Sequence, residues 1–169
     1  MPYDGNLEHL SIPLLVGDSY LGLGYDSTTG DYKSLKVRTD IDGREVPSEI
    51  LPLKSGSWRN TDKHPHGKSN VLFGMDSLAF VHEAFHWIGI FGNCSTVSFT
   101  ISNEEYGEIP LPEQILCLRG NISVGVPILE CFCVHSTSTC WGKETFKLWV
   151  LKDYGGKESW NALFILENP

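Results

Sequence analysis

The fold class predicted from the sequence is all-β: a sandwich, barrel or propeller of many short antiparallel strands. Apolar residues recur at period two, as in Val97-Ser98-Phe99-Thr100-Ile101 and Phe146-Lys147-Leu148-Trp149-Val150-Leu151, which is the alternation of half-buried strands. Turn-forming pairs interrupt these runs at short intervals, among them Asp42-Gly43, Ser55-Gly56, Gly92-Asn93, Gly120-Asn121 and Gly155-Gly156. Apolar patterns of helical period and length are hard to find, so at most one short helix is expected.

Taken along the chain, residues 1–19 read as a loosely ordered amino-terminal segment, and residues 20–169 as one β domain without an internal linker. A propeller would repeat weakly every ~40–50 residues. Two segments, one around Glu83 and one around Glu130, each set a turn-like break before a short aromatic strand, and they stand 47 positions apart (130 − 83). A polar loop and an amphipathic strand follow each, at residues 96–101 and 145–151.

Composition bounds the function. A chain of 169 residues, 41% hydrophobic, can bury the core of one domain. Its 13 basic against 21 acidic residues leave a net charge of −8, the wrong sign for a protein that competes for phosphates, so nucleic acid is not an expected partner. No apolar run approaches the ~20 residues that span a bilayer, and the first residues lack a secretory pattern, so neither membrane insertion nor secretion is expected. The 5 cysteines are odd in number and lack paired spacing, which fits reduced thiols and a cytoplasmic or nuclear location.

Several motifs invite a sharper reading. His82-Glu83-Ala84-Phe85-His86 spells the H-E-x-x-H string of zinc proteases. That chemistry needs a helix, which aims both imidazoles at one ion with the Glu beside them as base. Here aromatic residues and nearby Gly89 and Gly92 oppose a helix. On a strand the two histidines would share a face about 13 Å apart, so no metal is expected, nor any cofactor. Leu111-Pro112-Glu113-Gln114-Ile115-Leu116 looks like the opening of an F-box helix. It stops at Gly120-Asn121, so no F-box is expected in this chain. Neither a G-x-S-x-G nor a phosphate-loop pattern occurs.

For binding, Trp58-Arg59 is a candidate recognition pair, since Trp and Arg dominate interface hot spots; the favoured reading is nonetheless a core Trp beside a solvated Arg. Residues 40–46, 62–70 and 136–143 are polar and turn-rich, suiting exposed recognition loops. Trp141 in the last of these is either an aromatic anchor or buried under its loop.

An ordered series of motifs resembles the F-box-associated domain of plant F-box proteins. Leu21-Gly22-Leu23-Gly24-Tyr25-Asp26, closing on Asp31-Tyr32-Lys33, is similar to the family's opening motif. Ser57-Trp58-Arg59, His86-Trp87, the stretch from Ser98-Phe99 to Ile109-Pro110, and Leu148-Trp149-Val150-Leu151-Lys152-Asp153-Tyr154-Gly155 with Glu158-Ser159-Trp160 resemble later elements. The resemblance implies a kelch-like β-propeller, or part of one, holding a protein target for a ubiquitin ligase that a separate F-box recruits. The family's Asn-Gly turn is His82-Glu83 here, and a turn glycine is replaced at Glu130.

Two functions follow. The first is a protein-interaction module, the substrate-recognition part of an F-box receptor, whose open sheet edges would also invite pairing between copies. The alternative is a fold recruited to small-molecule binding or catalysis in plant metabolism, with His82, Glu83 and Glu130 as acid and base groups. Binding rather than catalysis is expected.

Overall fold

The computed structural model describes residues 14–15, 19–38, 47–62, 78–91, 93–116, 121–125, 131–140, 142–154 and 159–167. They form three antiparallel sheets. The first takes β1 (Leu14–Leu15), β2 (Ser19–Asp26), β3 (Asp31–Arg38), β4 (Glu49–Pro52) and β5 (Arg59–Asn60). The second takes β6 (Ala79–Val81), β7 (Ala84–Phe91), β8 (Asn93–Thr100) and β9 (Glu105–Pro110). After α1 (Glu113–Leu116), β10 (Asn121–Val124), β11 (Phe132–Cys140), β12 (Lys143–Leu151) and β13 (Trp160–Glu167) complete the third. In every sheet each strand pairs with its sequence neighbour, the meander expected of one propeller blade after another.

Period two decides which face is buried. In β3, Asp31, Lys33, Leu35 and Val37 point inward, while Tyr32, Ser34 and Lys36 are only half-buried. Leu35, Val37 and Ile50 of the first sheet pack on Leu78, Phe85, Trp87, Val97, Phe99 and Ile101 of the second. The second sheet's opposite face, through Ala79, Val81 and Ile88, meets Ile122, Val124, Phe132, Val134, Trp149 and Leu151 of the third. Covered on both faces, β7 is buried without interruption from Ala84 to Gly89.

The glycines of the opening motif serve this stacking. A Cβ on Gly22 would lie 2.6 Å from the Phe85 ring, and one on Gly24 would run into Phe80. These are strand glycines that admit aromatic rings of the next sheet.

The segment resembling an F-box opening forms the single turn α1, whose Ile115 amide bonds the Pro112 carbonyl at 2.9 Å and whose Ile115 side chain enters the second core. Residues 136–140, read as loop from their Ser/Thr content, belong instead to β11, where β-branched threonines suit a strand. Leu14 and Leu15, inside the segment expected to be loose, pair with Leu21 and Tyr20.

Candidate functional site

Because the strands alternate in direction, the turns after β2, β4, β6, β8 and β12 emerge together, and contacts tie them to one another. The β2–β3 turn is built by Asp26, which accepts bonds from Thr28 N at 3.0 Å and Thr29 Oγ1 at 2.7 Å. Lys33 Nζ bridges Asp26 Oδ2 and the Ile101 carbonyl, both at 2.8 Å, which joins the first sheet to the β8–β9 turn. The Ile101 amide in turn bonds the Glu83 carbonyl at 3.0 Å. Asp31 accepts the Lys54 amide at 3.2 Å, securing the β4–β5 turn.

The Asp26 carboxylate is fully buried. Burial alone would raise its pKa, but the hydrogen bonds from Lys33, Thr29 and Thr28 outweigh that and hold it down at about 2.

Trp58 and Arg59 lie at this end. Trp58 is 44% exposed, correcting the expectation of a core indole, and Lys36 Nζ sits 5.8 Å from its ring centroid, a cation–π contact. Arg59, expected to be solvated, has a side chain 50% exposed and is also paired. Its guanidinium grips Glu104 with two bonds, one of 2.6 Å from Nη1, and this partner raises its pKa. The pair links the β4–β5 turn to the β8–β9 turn, where Glu104 has φ of 59°.

His82 and Glu83 occupy the two-residue turn between β6 and β7, closed by the Val81–Ala84 pair. Their φ values are 49° and 57°, the left-handed pair of a type I′ hairpin that Asn-Gly fills most cheaply. This corrects the placement of His82 on a strand with His86. The turn swings His82 round so that its ring lies 4.9 Å from Tyr154, which also contacts His86 at 5.5 Å. The H-E-x-x-H string is therefore spread over a turn and a strand rather than one helical face.

His86 is fully buried between Ala79 and Ser98 on flanking strands. Its Nε2 lies 2.6 Å from the Tyr154 hydroxyl, and its ring packs on Phe132 at 4.5 Å. Burial drives its pKa down to about 3, against smaller opposing effects from the Ala79 and Ala84 backbone and a small reinforcing one from His82. The imidazole is thus neutral. The Tyr154 hydroxyl shares a hydrogen bond with Nε2, and its own pKa is pushed up to about 12 by burial despite a bond with Ser98. Nδ1 has no partner of hydrogen-bond geometry.

The structure therefore brings His82, Glu83, Trp58 and Arg59 to one end, on turns of the first two sheets. Glu130 and Trp141 lie outside the described residues, as do residues 40–46 and 63–70. Sequence reasoning did not single out Asp26, Lys33, Glu104, Ser98 or Tyr154. The signal for all five was present, since each stands inside a motif that carried the family resemblance.

A family model, the F-box associated beta propeller domain, matches residues 13–168. Among curated relatives in Arabidopsis thaliana, F-box protein CPR1 is 24% identical over 174 residues, covering 90% of this chain and 41% of the relative. F-box/kelch-repeat protein At3g23880 is 25% identical, covering 84% of this chain and 38% of the relative. F-box protein At3g07870 is 28% identical, with 82% and 38% covered. The chain thus spans about two fifths of the length of these relatives. No solved structure matches the chain.

Proposed function

The chain belongs to the F-box associated beta propeller domain family, and from that membership we propose that it is a protein-interaction module, the substrate-recognition part of an F-box-type ubiquitin-ligase receptor. The observation that carries the reading is the gathering of five turns, from all three sheets, at one end of a rigid frame. Recognition surfaces are commonly loops held on such a scaffold. Trp58 supplies an exposed aromatic there, and Leu53 beside it is 51% exposed; a Trp ringed by charge is a usual hot-spot anchor. Arg59 is committed to Glu104 and acts in this reading by positioning the turns. A kelch-like frame, a cytoplasmic or nuclear location and association through open sheet edges belong to the same proposal.

The second reading, acid–base catalysis on a small molecule, gains no support from the part-buried His86–Tyr154 pair. Their pKa values, about 3 and about 12, lie far from the neutral range that proton transfer favours.

The test compares Trp58→Ala with Glu83→Gln in two assays on source-tissue extract, protein capture and turnover of small metabolites. Capture of a defined protein that falls about tenfold in Trp58→Ala, a loss of ~1.4 kcal/mol, is the expected result. A metabolite conversion abolished by Glu83→Gln, with no protein recovered, would transfer the assignment to the second reading.

A further inference from the structure

The seam between the second and third sheets carries polar atoms that its apolar surroundings leave unanswered. Among the described residues, the buried side-chain polar atoms without a hydrogen-bond partner are Ser48 Oγ beside β4, and His86 Nδ1, Thr96 Oγ1, Ser136 Oγ and Trp149 Nε1. The last four all face this one seam. Thr96 stands between Ile88 and Ile109 on neighbouring strands, His86 beside Ala79, and Ser136 beside Ile122. Those neighbours and Trp149 itself belong to the core that joins the two sheets.

The register draws the four residues together in pairs. His86 lies opposite Ser98, two residues from Thr96, so His86 and Thr96 are diagonal neighbours on β7 and β8. Trp149 lies opposite Val134, two residues from Ser136, which sets those two in the same relation on β12 and β11. Diagonal neighbours are about 7–8 Å apart, within reach of long side chains. Stacked sheets lie ~10 Å apart, and the His86 ring touches Phe132 across the seam at 4.5 Å, so both pairs project into one layer. All four residues are deeply buried, with Trp149 the most exposed at 8%. An unanswered buried polar group costs the folding equilibrium roughly tenfold, and native proteins answer such groups with protein atoms or with a small bound molecule.

We propose that this seam is a binding site for a small uncharged oxygen compound, water or an alcohol. Trp149 Nε1 and Ser136 Oγ hold it from the third sheet, and Thr96 Oγ1 and His86 Nδ1 from the second. The inference goes beyond the interaction-module reading and does not depend on it. Chemistry selects the class of guest. An indole N–H only donates, so the guest must accept, while hydroxyls and the nitrogen of a neutral imidazole can answer in either sense. The buried charged side chains among the described residues, Asp26, Asp31 and Lys33, all belong to the first sheet, so an ion here would find no counter-charge. Ile88, Ile122 and Val134, which share the seam, suit the short hydrocarbon part of an alcohol.

The test is urea denaturation of Thr96→Val, Ser136→Ala and the double variant, each checked for the wild-type circular dichroism. Each single variant is expected to lower the folding constant about tenfold, because it breaks a bond to the guest and leaves the other groups unanswered. The double variant is expected to lose about the same factor rather than a hundredfold, since one guest is lost only once. Thr96→Ser, which keeps the hydroxyl, is expected to restore most of the stability. The guest is identified on the wild-type chain: slow magnetisation transfer from solvent to the amides of residues 96 and 136 marks water, and a mass excess in native mass spectrometry that Thr96→Val abolishes marks an alcohol. Single variants as stable as the wild type or more so, the result for hydroxyls with no guest, would overturn the proposal, as would the absence of both signals. Losses that multiply in the double variant would overturn a site shared by the two sheets. None of the four residues lies on a turn, so these outcomes leave partner capture by Trp58 to stand or fall alone.

Discussion

His82 and Glu83 carry the clearest lesson at the scale of the residue. Both hold left-handed backbone in the two-residue turn between β6 and β7, a conformation costing an ordinary L-residue roughly 1 kcal/mol. Glu83→Gly is therefore expected to stabilise the chain by roughly 0.5–1 kcal/mol, read as a higher urea midpoint with an unchanged slope. No change, or a loss, would mean that the Glu83 side chain makes a compensating contact. The cost of this turn was legible in the sequence, because Asn-Gly is the pair the family resemblance led one to expect there. What was not legible was the company His82 keeps. Its neighbour Tyr154 lies 72 positions later (154 − 82), and period-two patterning says nothing about which loop of another sheet will cross a turn.

At the scale of the element, the junctions between sheets are polar as well as apolar, and they titrate. His86 is neutral at β7, with its pKa lowered from 6.5 to about 3, chiefly by burial. A depressed pKa contributes stability that is complete above the unfolded value and lost as pH falls through the folded one. Folding stability is thus expected to decline from about pH 6.5 toward pH 3, by up to roughly 1.4 kcal/mol per pH unit. Asp26, lowered from 3.8 to about 2, adds a further decline confined to the range below about pH 4. Urea denaturation of His86→Gln from pH 7 down to about pH 2.5 should show the first slope flattened while the second remains. A wild-type profile flat down to pH 4 would show that His86 is not held neutral by the fold.

The strand pattern was readable along most of the described residues, since period two sets both the strand and its buried face. Ser/Thr-rich residues 136–140 misled because polarity was taken for a loop where β-branching and pairing with β12 decide for strand. Trp58 was placed in the core by the general habit of indoles. The local fact that overrides it is the turn of residues 53–58, which carries the ring out over Lys36.

At the scale of the whole molecule, three stacked sheets hold two apolar interfaces and bring five turns to one end, a frame with little means of moving them independently. Asp26, Lys33, Glu104 and Arg59 lock the first sheet to the second, and Tyr154 with Trp160, whose Nε1 bonds the Pro110 carbonyl at 2.9 Å, locks the second to the third. That rigidity is what a recognition surface requires, because ordering loops on binding costs affinity. The central claim is that this end receives the partner. The measurement that tests it most directly is amide hydrogen exchange on the chain alone and in complex with its captured protein. Protection concentrated in residues 27–30, 53–58, 82–83, 101–104 and 152–154, with residues 142–143 at the opposite end unchanged, is the predicted result. Protection confined to the opposite end, with the five turns exchanging as in the free chain, would contradict it.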